Sequence, residues 1–265
     1  MRPLVLLTDF GLADHYAGVL HAVIEREAPG AVRIDLTHEI PPGDVWAACF
    51  TLRAAWPHLP EDAVVLAVVD PGVGTARRAV AAHAGGRWLV APDNGLAAAA
   101  GPADRLVVLD AAAMGIPAPS ATFHGRDLFA PAAARLARGD DPSALGREEA
   151  PTLAPVPLPE PVREAGGTVR GAVLHVDRFG NVVTNVPAAL VPPGAAVRCG
   201  RAVVTRRVRT YGEAPPGVPV MLEGSTGLLE IALDGEPAAA RAAIRRAITS
   251  KNGSYRSRPS SEAGS

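Results

Sequence analysis

Only two of the 265 residues are cysteine, Cys49 and Cys199. They lie far apart and match no metal-ligand spacing, which excludes a disulfide framework. Both are expected to be small buried hydrophobes in a reducing compartment. Charge of one sign is not in excess either: 26 basic and 27 acidic residues leave a net charge of −1. That balance carries no electrostatic footprint for a nucleic acid or a membrane surface. The apolar run in MRPLVLLTDF is too short for a membrane span or a signal peptide, so a cytoplasmic location is expected. GxGxxG is absent. DPGVGT at 70–75 could pass for a phosphate loop but lacks the Lys-Ser/Thr that such a loop needs, which disfavours nucleoside triphosphates. The seven histidines show no HExxH or paired spacing, so no metal is expected. No internal repeat is present.

What remains is a globular composition, 48% hydrophobic and 20% charged, long enough for one large domain or two modest ones. The first half alternates between two periods. PLVLLT (3–8) is a continuous apolar run, as expected for a strand buried on both faces, and further strands are read at 31–36, 63–69, 87–92 and 105–110. Helical spacing covers 14–28. Asp44, after the Pro-Pro-Gly turn, can cap a helix running to about Trp56. A short helix is expected near 95–100 and a longer one over 128–138. Strands alternating with helices predict an α/β domain over 1–150, a mostly parallel sheet with helices on both faces. PTLAPVPLPEPV then places five prolines in twelve residues, an extended linker or wrap over 151–166. Short β-like runs follow at 168–177, 181–186, 195–199, 201–208, 218–223 and 228–233. With Gly/Pro turns between them they predict a smaller all-β, barrel-like domain over 167–249, closed by a helix at 236–247. The polar tail 250–265 is expected to be disordered.

The polar residues gather at strand ends. Asp9 closes the first strand and Asp70 the third, each followed by a glycine turn (DFG and DPGVG). In open α/β sheets ligands bind outside the carboxyl ends of the strands. One acid in such a place is ordinarily a turn or cap residue; two suggest a site without identifying it. His38, in DLTHEI, is expected to make turn contacts. His124, in FHGRD between an aromatic residue and a glycine, is open to a structural or a functional reading. Trp46 and Trp56 read as core or interface packing. VDRFGNVVTN (176–185) and EGSTGLLE (223–230) are polar turns that turn chemistry alone can explain.

TDFG (8–11), DLTHEIPP (35–42), VVDPGVGTARR (68–78), APDNG (91–95), FHGRDLFAP (123–131) and HVDRFGNVVTN (175–185) occur together in this order. With them the chain resembles the S-adenosylmethionine (SAM) hydroxide adenosyltransferases, or SAM hydrolases, relatives of the SAM-dependent fluorinase and chlorinase. The resemblance runs from about residue 3 to about 235. It implies an N-terminal α/β domain, a linker, a C-terminal β-barrel-like domain and a homotrimer with its active site between subunits. It implies hydrolysis of SAM to adenosine and methionine by water attacking ribose C5′, with SAM as substrate and no cofactor. Asp70, Arg77 and His124 match the residues around the nucleophilic water. Asp9 matches the acid on the ribose hydroxyls. Asp177 and Ser225 fall where the methionine end is held, Asn181 where adenine is hydrogen-bonded, and Tyr211 near an aromatic that packs on adenine; Phe179 belongs to the same binding turn.

Three rival readings can be set beside this one. The halogenases share TDxG and FGNVxTN, but they typically carry an aromatic at the position of Asp70 and a tyrosine at that of His124. This chain keeps the polar set. Thr226 stands where the halogenases have an arginine that helps the methionine end. A non-catalytic SAM- or adenosine-binding module would not need Arg77 and His124 together. A structural domain without a ligand would not need the converging polar turns.

Overall fold

The computed structural model describes residues 1–200 and 202–233. It divides into two compact units, the first Met1–Leu158 and the second beginning at Pro159. The helix expected at 236–247 and the polar tail lie outside the described residues.

The first unit is built on a seven-stranded sheet. Its strands are β1 (Leu4–Thr8), β2 (Arg33–Thr37), β3 (Val64–Val68), β4 (Ala79–Ala84), β5 (Arg87–Pro92), β6 (Arg105–Leu109) and β7 (Gly146–Glu149), in the order β2-β1-β3-β5-β4-β6-β7. Three helices cover it: α1 (Tyr16–Glu27), α2 (Val45–Ala55) and α3 (Ala130–Arg138). Successive strand side chains point to opposite faces, and the core divides accordingly. Leu4, Leu6, Leu66 and Val68 pack with Leu20 and Ile24 of α1 and Leu136 of α3. Val5, Leu7, Val65 and Ala67 pack with Ala48, Cys49 and Leu52 of α2. Asp44 caps α2 as expected, its Oδ1 accepting from Ala47 N at 2.9 Å.

The sheet is mixed, which corrects the expected mostly parallel sheet. β2, β1, β3 and β5 are parallel neighbours, whereas β4 runs antiparallel to both β5 and β6, and β7 antiparallel to β6. The cause is local. Ala84 and Arg87 are joined by Gly85-Gly86 at φ 54° and 82°, two positive φ values that close a tight hairpin between β4 and β5.

The chain leaves β1 for β2 on one side and returns past β1 to β3 on the other, so the connection reverses between β1 and β3. In open α/β sheets ligands bind at such a switch point, outside the carboxyl ends of the two strands. Asp9 and Asp70 follow these two strands. The Pro-rich stretch wraps the first unit as far as Leu158, with Leu153, Val156 and Leu158 packed on the α2 face.

The second unit holds β8 (Val162–Arg163), β9 (Val169–Arg170), β10 (Val173–Val176), β11 (Val182–Pro187), β12 (Val197–Cys199), β13 (Ala202–Val204), β14 (Arg206–Arg207), β15 (Pro219–Glu223) and β16 (Leu228–Leu233). Five of these form a sheet in the order β10-β11-β16-β15-β14; β8 pairs with β9 and β12 with β13. The unit is sheet-rich, and among the described residues β10 and β14 do not pair to close it into a barrel. Val182, Val204, Met221 and Ile231 centre its core.

Candidate functional site

Asp70 lies two residues beyond β3, and the loop that follows bends back on it. Val73 N donates to Asp70 O at 3.3 Å, and Thr75 Oγ1 donates to Gly72 O at 2.7 Å. The bend returns Arg77 to Asp70. Arg77 Nε donates to Asp70 Oδ1 and Oδ2 at 2.9 and 3.0 Å, and Nη2 donates to Oδ2 as well. Nη2 also reaches His124 Nδ1 at 2.9 Å. The two side chains are 10% and 6% exposed, which makes this a buried, charge-assisted pair. The Arg77 guanidinium also lies 5.2 Å from the centroid of the Phe129 ring.

His124 precedes a π-helical turn, Gly125–Phe129, that leads into α3. A guanidinium only donates, so His124 Nδ1 must be the acceptor, and the neutral ring carries its proton on Nε2. Burial, with the Arg77 charge adding to it, holds the imidazole below its ordinary pKa. A Cβ on Gly125 would lie 2.9 Å from Phe10 Cζ, so glycine is what lets the His124 turn seat against the DFG turn. Phe10, Tyr16 and Phe123 meet edge to face beside it, with ring centroids 5.3–6.2 Å apart.

Adjacent residues leading into a strand face opposite ways, and Arg78 accordingly turns from Arg77. Its Nε and Nη2 donate to Asp93 Oδ2 at 2.9 and 2.6 Å, its Nη1 to Glu149 Oε2 at 3.1 Å and its Nη2 to Thr152 O at 2.6 Å. Asp93 Oδ1 accepts from Ala154 N at 2.8 Å. One arginine of the pair thus builds the polar cluster and the other fastens the Pro-rich wrap.

Asp9 sits across the switch point. Its Oδ2 accepts from Gly43 N at 2.7 Å, leaving Oδ1 for another partner. Burial raises its pKa, and the charge of Asp70 adds to that, against the lowering by the Gly43 amide. Asp9, Asp70, Arg77 and His124 are therefore gathered at one edge of the first unit.

The other expected residues form a separate constellation in the second unit. Asp177 Oδ1 accepts from Phe179 N and Asn181 N at 2.9 and 2.8 Å, and Oδ2 accepts from Asn181 Nδ2 at 2.9 Å. The Asp177–Asn181 turn is thus fixed before any ligand arrives. Phe179 projects from it, 80% exposed. Tyr211, half exposed, donates its hydroxyl to Glu230 Oε2 at 2.5 Å. Burial pushes the phenol pKa up, with the bond to Glu230 and the charges of Glu230 and Asp177 adding to it. Ser225 is exposed in the turn between β15 and β16.

Sequence reasoning missed Glu230, which is 7% exposed and positions Tyr211. Its signal was faint: a lone acid inside an apolar strand, where β16 pairs it with Leu222 and Val183. A Cβ on Gly224 would lie 1.9 Å from Glu230 Oε1, so the glycine makes room for the carboxylate.

Fold and site define the class first: a two-unit protein whose α/β part carries a carboxylate–guanidinium–imidazole cluster at the switch point of its sheet. The family follows from comparison. The model of the SAM hydroxide adenosyltransferase N-terminal domain matches residues 4–146, and that of the C-terminal domain matches residues 171–248. The chain belongs to this family. It is 47% identical over 270 residues to a protein of Thermus thermophilus named (R)-S-adenosyl-L-methionine hydrolase, covering 96% of this chain and 98% of the relative. A protein of the same name from Salinispora tropica is 45% identical over 238 residues, covering 88% and 90%. A crystal structure of an uncharacterized conserved protein from Thermotoga maritima superposes with a TM-score of 0.82 at 35% identity, covering 91% of this chain and 96% of the other.

Proposed function

We propose that this chain hydrolyses S-adenosyl-L-methionine to adenosine and L-methionine, and that it takes the (R) form named in its relatives. The sulfonium sulfur bears three different carbon substituents and is a stereocentre. The L prefix already fixes the amino-acid carbon, so (R) refers to sulfur. The observation that carries the reading is the cluster in which Arg77 clamps Asp70 and reaches His124 at 2.9 Å.

The reaction is a substitution at saturated carbon. A water oxygen bonds to ribose C5′, the C5′–S bond breaks with its electron pair going to sulfur, and methionine leaves as a neutral thioether. One water proton is released. The leaving group needs no acid, so the chemical demand falls on the nucleophile, and a pinned water gains up to about 7–11 kcal/mol from alignment. His124, its Nδ1 engaged by Arg77, offers Nε2–H as a fixed donor that orients the water. Asp70 has unused lone pairs and is the group beside it that accepts the proton. General-base assistance of this kind contributes about 10²–10⁴-fold. The negative edge formed by Asp9 and Asp70 also suits a cationic sulfonium.

Asp9 Oδ1 accepts from the ribose hydroxyls. Asp177 pairs with the methionine ammonium and Ser225 donates to its carboxylate. Asn181 bonds adenine, and Tyr211 and Phe179 pack on it. No step draws on a cofactor, because the sulfonium supplies its own leaving group. The working form is a cytoplasmic homotrimer, which light scattering tests. Among the described residues no helix is long and apolar enough to cross a membrane.

The test is product analysis with each sulfonium epimer in ¹⁸O-labelled water, with and without chloride. Equal amounts of adenosine and methionine, label in adenosine, indifference to chloride and faster consumption of the (R) epimer are expected. 5′-Chloro-5′-deoxyadenosine would mean a halogenase, and bound but intact SAM a binding module.

A further inference from the structure

The sequence shows no metal motif, yet the fold gathers three ligand-bearing side chains away from the Asp70 cluster. His21 stands on α1, Asp35 on the edge strand β2, and His38 just beyond it. His21 Nε2 lies 3.0 Å and His38 Nε2 3.2 Å from Asp35 Oδ1, and the three donor atoms lie within 4.8 Å of one another. Tetrahedral coordination with bonds of about 2.0–2.1 Å sets its donors roughly 3.3 Å apart. The spacing on either side of Asp35 is compatible with one shared ion.

The burial of His38 points the same way. The residue is 3% exposed, and its Nδ1 meets Thr8 Oγ1 at 2.8 Å. Thr8 Oγ1 also accepts from Phe10 N at 3.2 Å. Thr8 Oγ1, already accepting from Phe10 N, has a second lone pair for Nδ1–H, and in that tautomer the lone pair of Nε2 faces His21 and Asp35. Nε2 is fully buried and, although 3.2 Å from Asp35 Oδ1, is not aligned to hydrogen-bond it, and a buried polar atom in that state needs an explanation. A second-row partner on the far nitrogen that fixes ring and tautomer is how ligating histidines are held.

We propose that His21 Nε2, Asp35 Oδ1 and His38 Nε2 bind a divalent transition-metal ion of the Zn²⁺, Co²⁺ or Ni²⁺ type. Two imidazoles and one carboxylate suit these ions and not Mg²⁺ or Ca²⁺. The ion takes no part in the chemistry at C5′. It ties α1 to β2 and braces the turn that presents Asp9, because His38 O accepts from Gly11 N at 2.7 Å while its ring holds Thr8.

The test is calorimetric titration of the full chain, freed of any affinity tag, with Zn²⁺, together with the visible spectrum of the Co²⁺ form. One ion per chain, Co²⁺ bands of four- or five-coordinate intensity and a raised unfolding temperature are expected. His21→Ala and Asp35→Ala alter partly exposed side chains, so the fold is expected to survive both. Each should weaken binding at least about 10-fold, as losing a ligand costs no less than losing an outer-shell partner, and should abolish the Zn²⁺-dependent rise in unfolding temperature. Absence of stoichiometric binding to the parent chain, or binding unchanged in both variants, overturns the proposal.

Discussion

In the first unit Asp70 and Arg77 are nine-tenths buried and locked by a charge-assisted fork; in the second, Phe179 and Tyr211 stand 80% and 50% exposed on turns held by neutral or singly charged hydrogen bonds. The two regions are fixed to different degrees. On the proposed function, the groups that hold a small nucleophile to a fraction of an ångström are those at the carboxyl ends of the buried sheet, where misplacement is costly. The groups proposed to cover a large flat ligand stand in the open on turns already set. On the proposed function this separates reactivity from grip, and substitutions in the two regions should fail in different ways.

The largest effect is expected from Arg77→Ala. It leaves Asp70 buried without its partner, so stability should fall by about 3–5 kcal/mol, measurable by denaturant unfolding, and turnover should be lost. Arg77→Lys restores charge but not the fork to His124, and should recover stability more than activity.

His124→Ala comes next. It should cut turnover at least about tenfold, because it removes the donor that orients the water, while SAM affinity measured by calorimetry is largely kept. The parent enzyme should show the same dependence through pH. His124 has a folded pKa below its ordinary 6.5, and protonation places an Nδ1–H against an Arg77 N–H. Turnover should therefore fall as pH drops through that depressed pKa. The unfolded chain takes up the proton first, so the stability this group contributes is complete above 6.5 and is lost as pH falls toward the folded value. A pH–rate profile flat down to acid would remove His124 from the water site.

Asp9→Ala should raise the KM for SAM more than it lowers kcat, because on the proposed function Asp9 grips ribose and does not touch the water. Steady-state kinetics separates the two. Tyr211→Phe, in the second unit, should be smallest. It removes one hydrogen bond to Glu230, worth about 0.5–1.5 kcal/mol, and should change KM several-fold with kcat intact. If Tyr211→Phe abolished turnover, the division between the two regions would collapse.

Much of this was legible in the residues. Continuous apolar runs marked β1, β3, β5 and β6 because strands covered on both faces need no polar alternation. A lone acid after a strand is ordinarily a turn or cap residue; Asp9 and Asp70 together, each before a glycine turn, are what pointed to the carboxyl edge of the sheet. β4 was passed over: AVAAHA is small and alanine-rich, and only the Gly-Gly turn after it betrays the hairpin that makes the sheet mixed. The contrast between Arg77 and Arg78 could not be read from adjacent identical letters, since strand alternation gives them opposite partners. Glu230 left only a faint signal and the His21–Asp35–His38 group none, because their meaning lies in what the fold sets beside them. The roles of Arg77 and the second-unit turns came from the family resemblance and not from spacing.

The central claim is that the buried cluster performs the chemistry while other groups hold the substrate. Asp70→Asn tests it most directly, because the amide keeps the shape of the carboxylate and loses its power to accept a proton. The single-turnover rate of bound SAM and its calorimetric Kd should be measured together on the folded variant. A rate at least about 100-fold lower, with a Kd near that of the parent enzyme, is predicted. Turnover at the parent rate would contradict it and would place the acceptor of the water proton elsewhere.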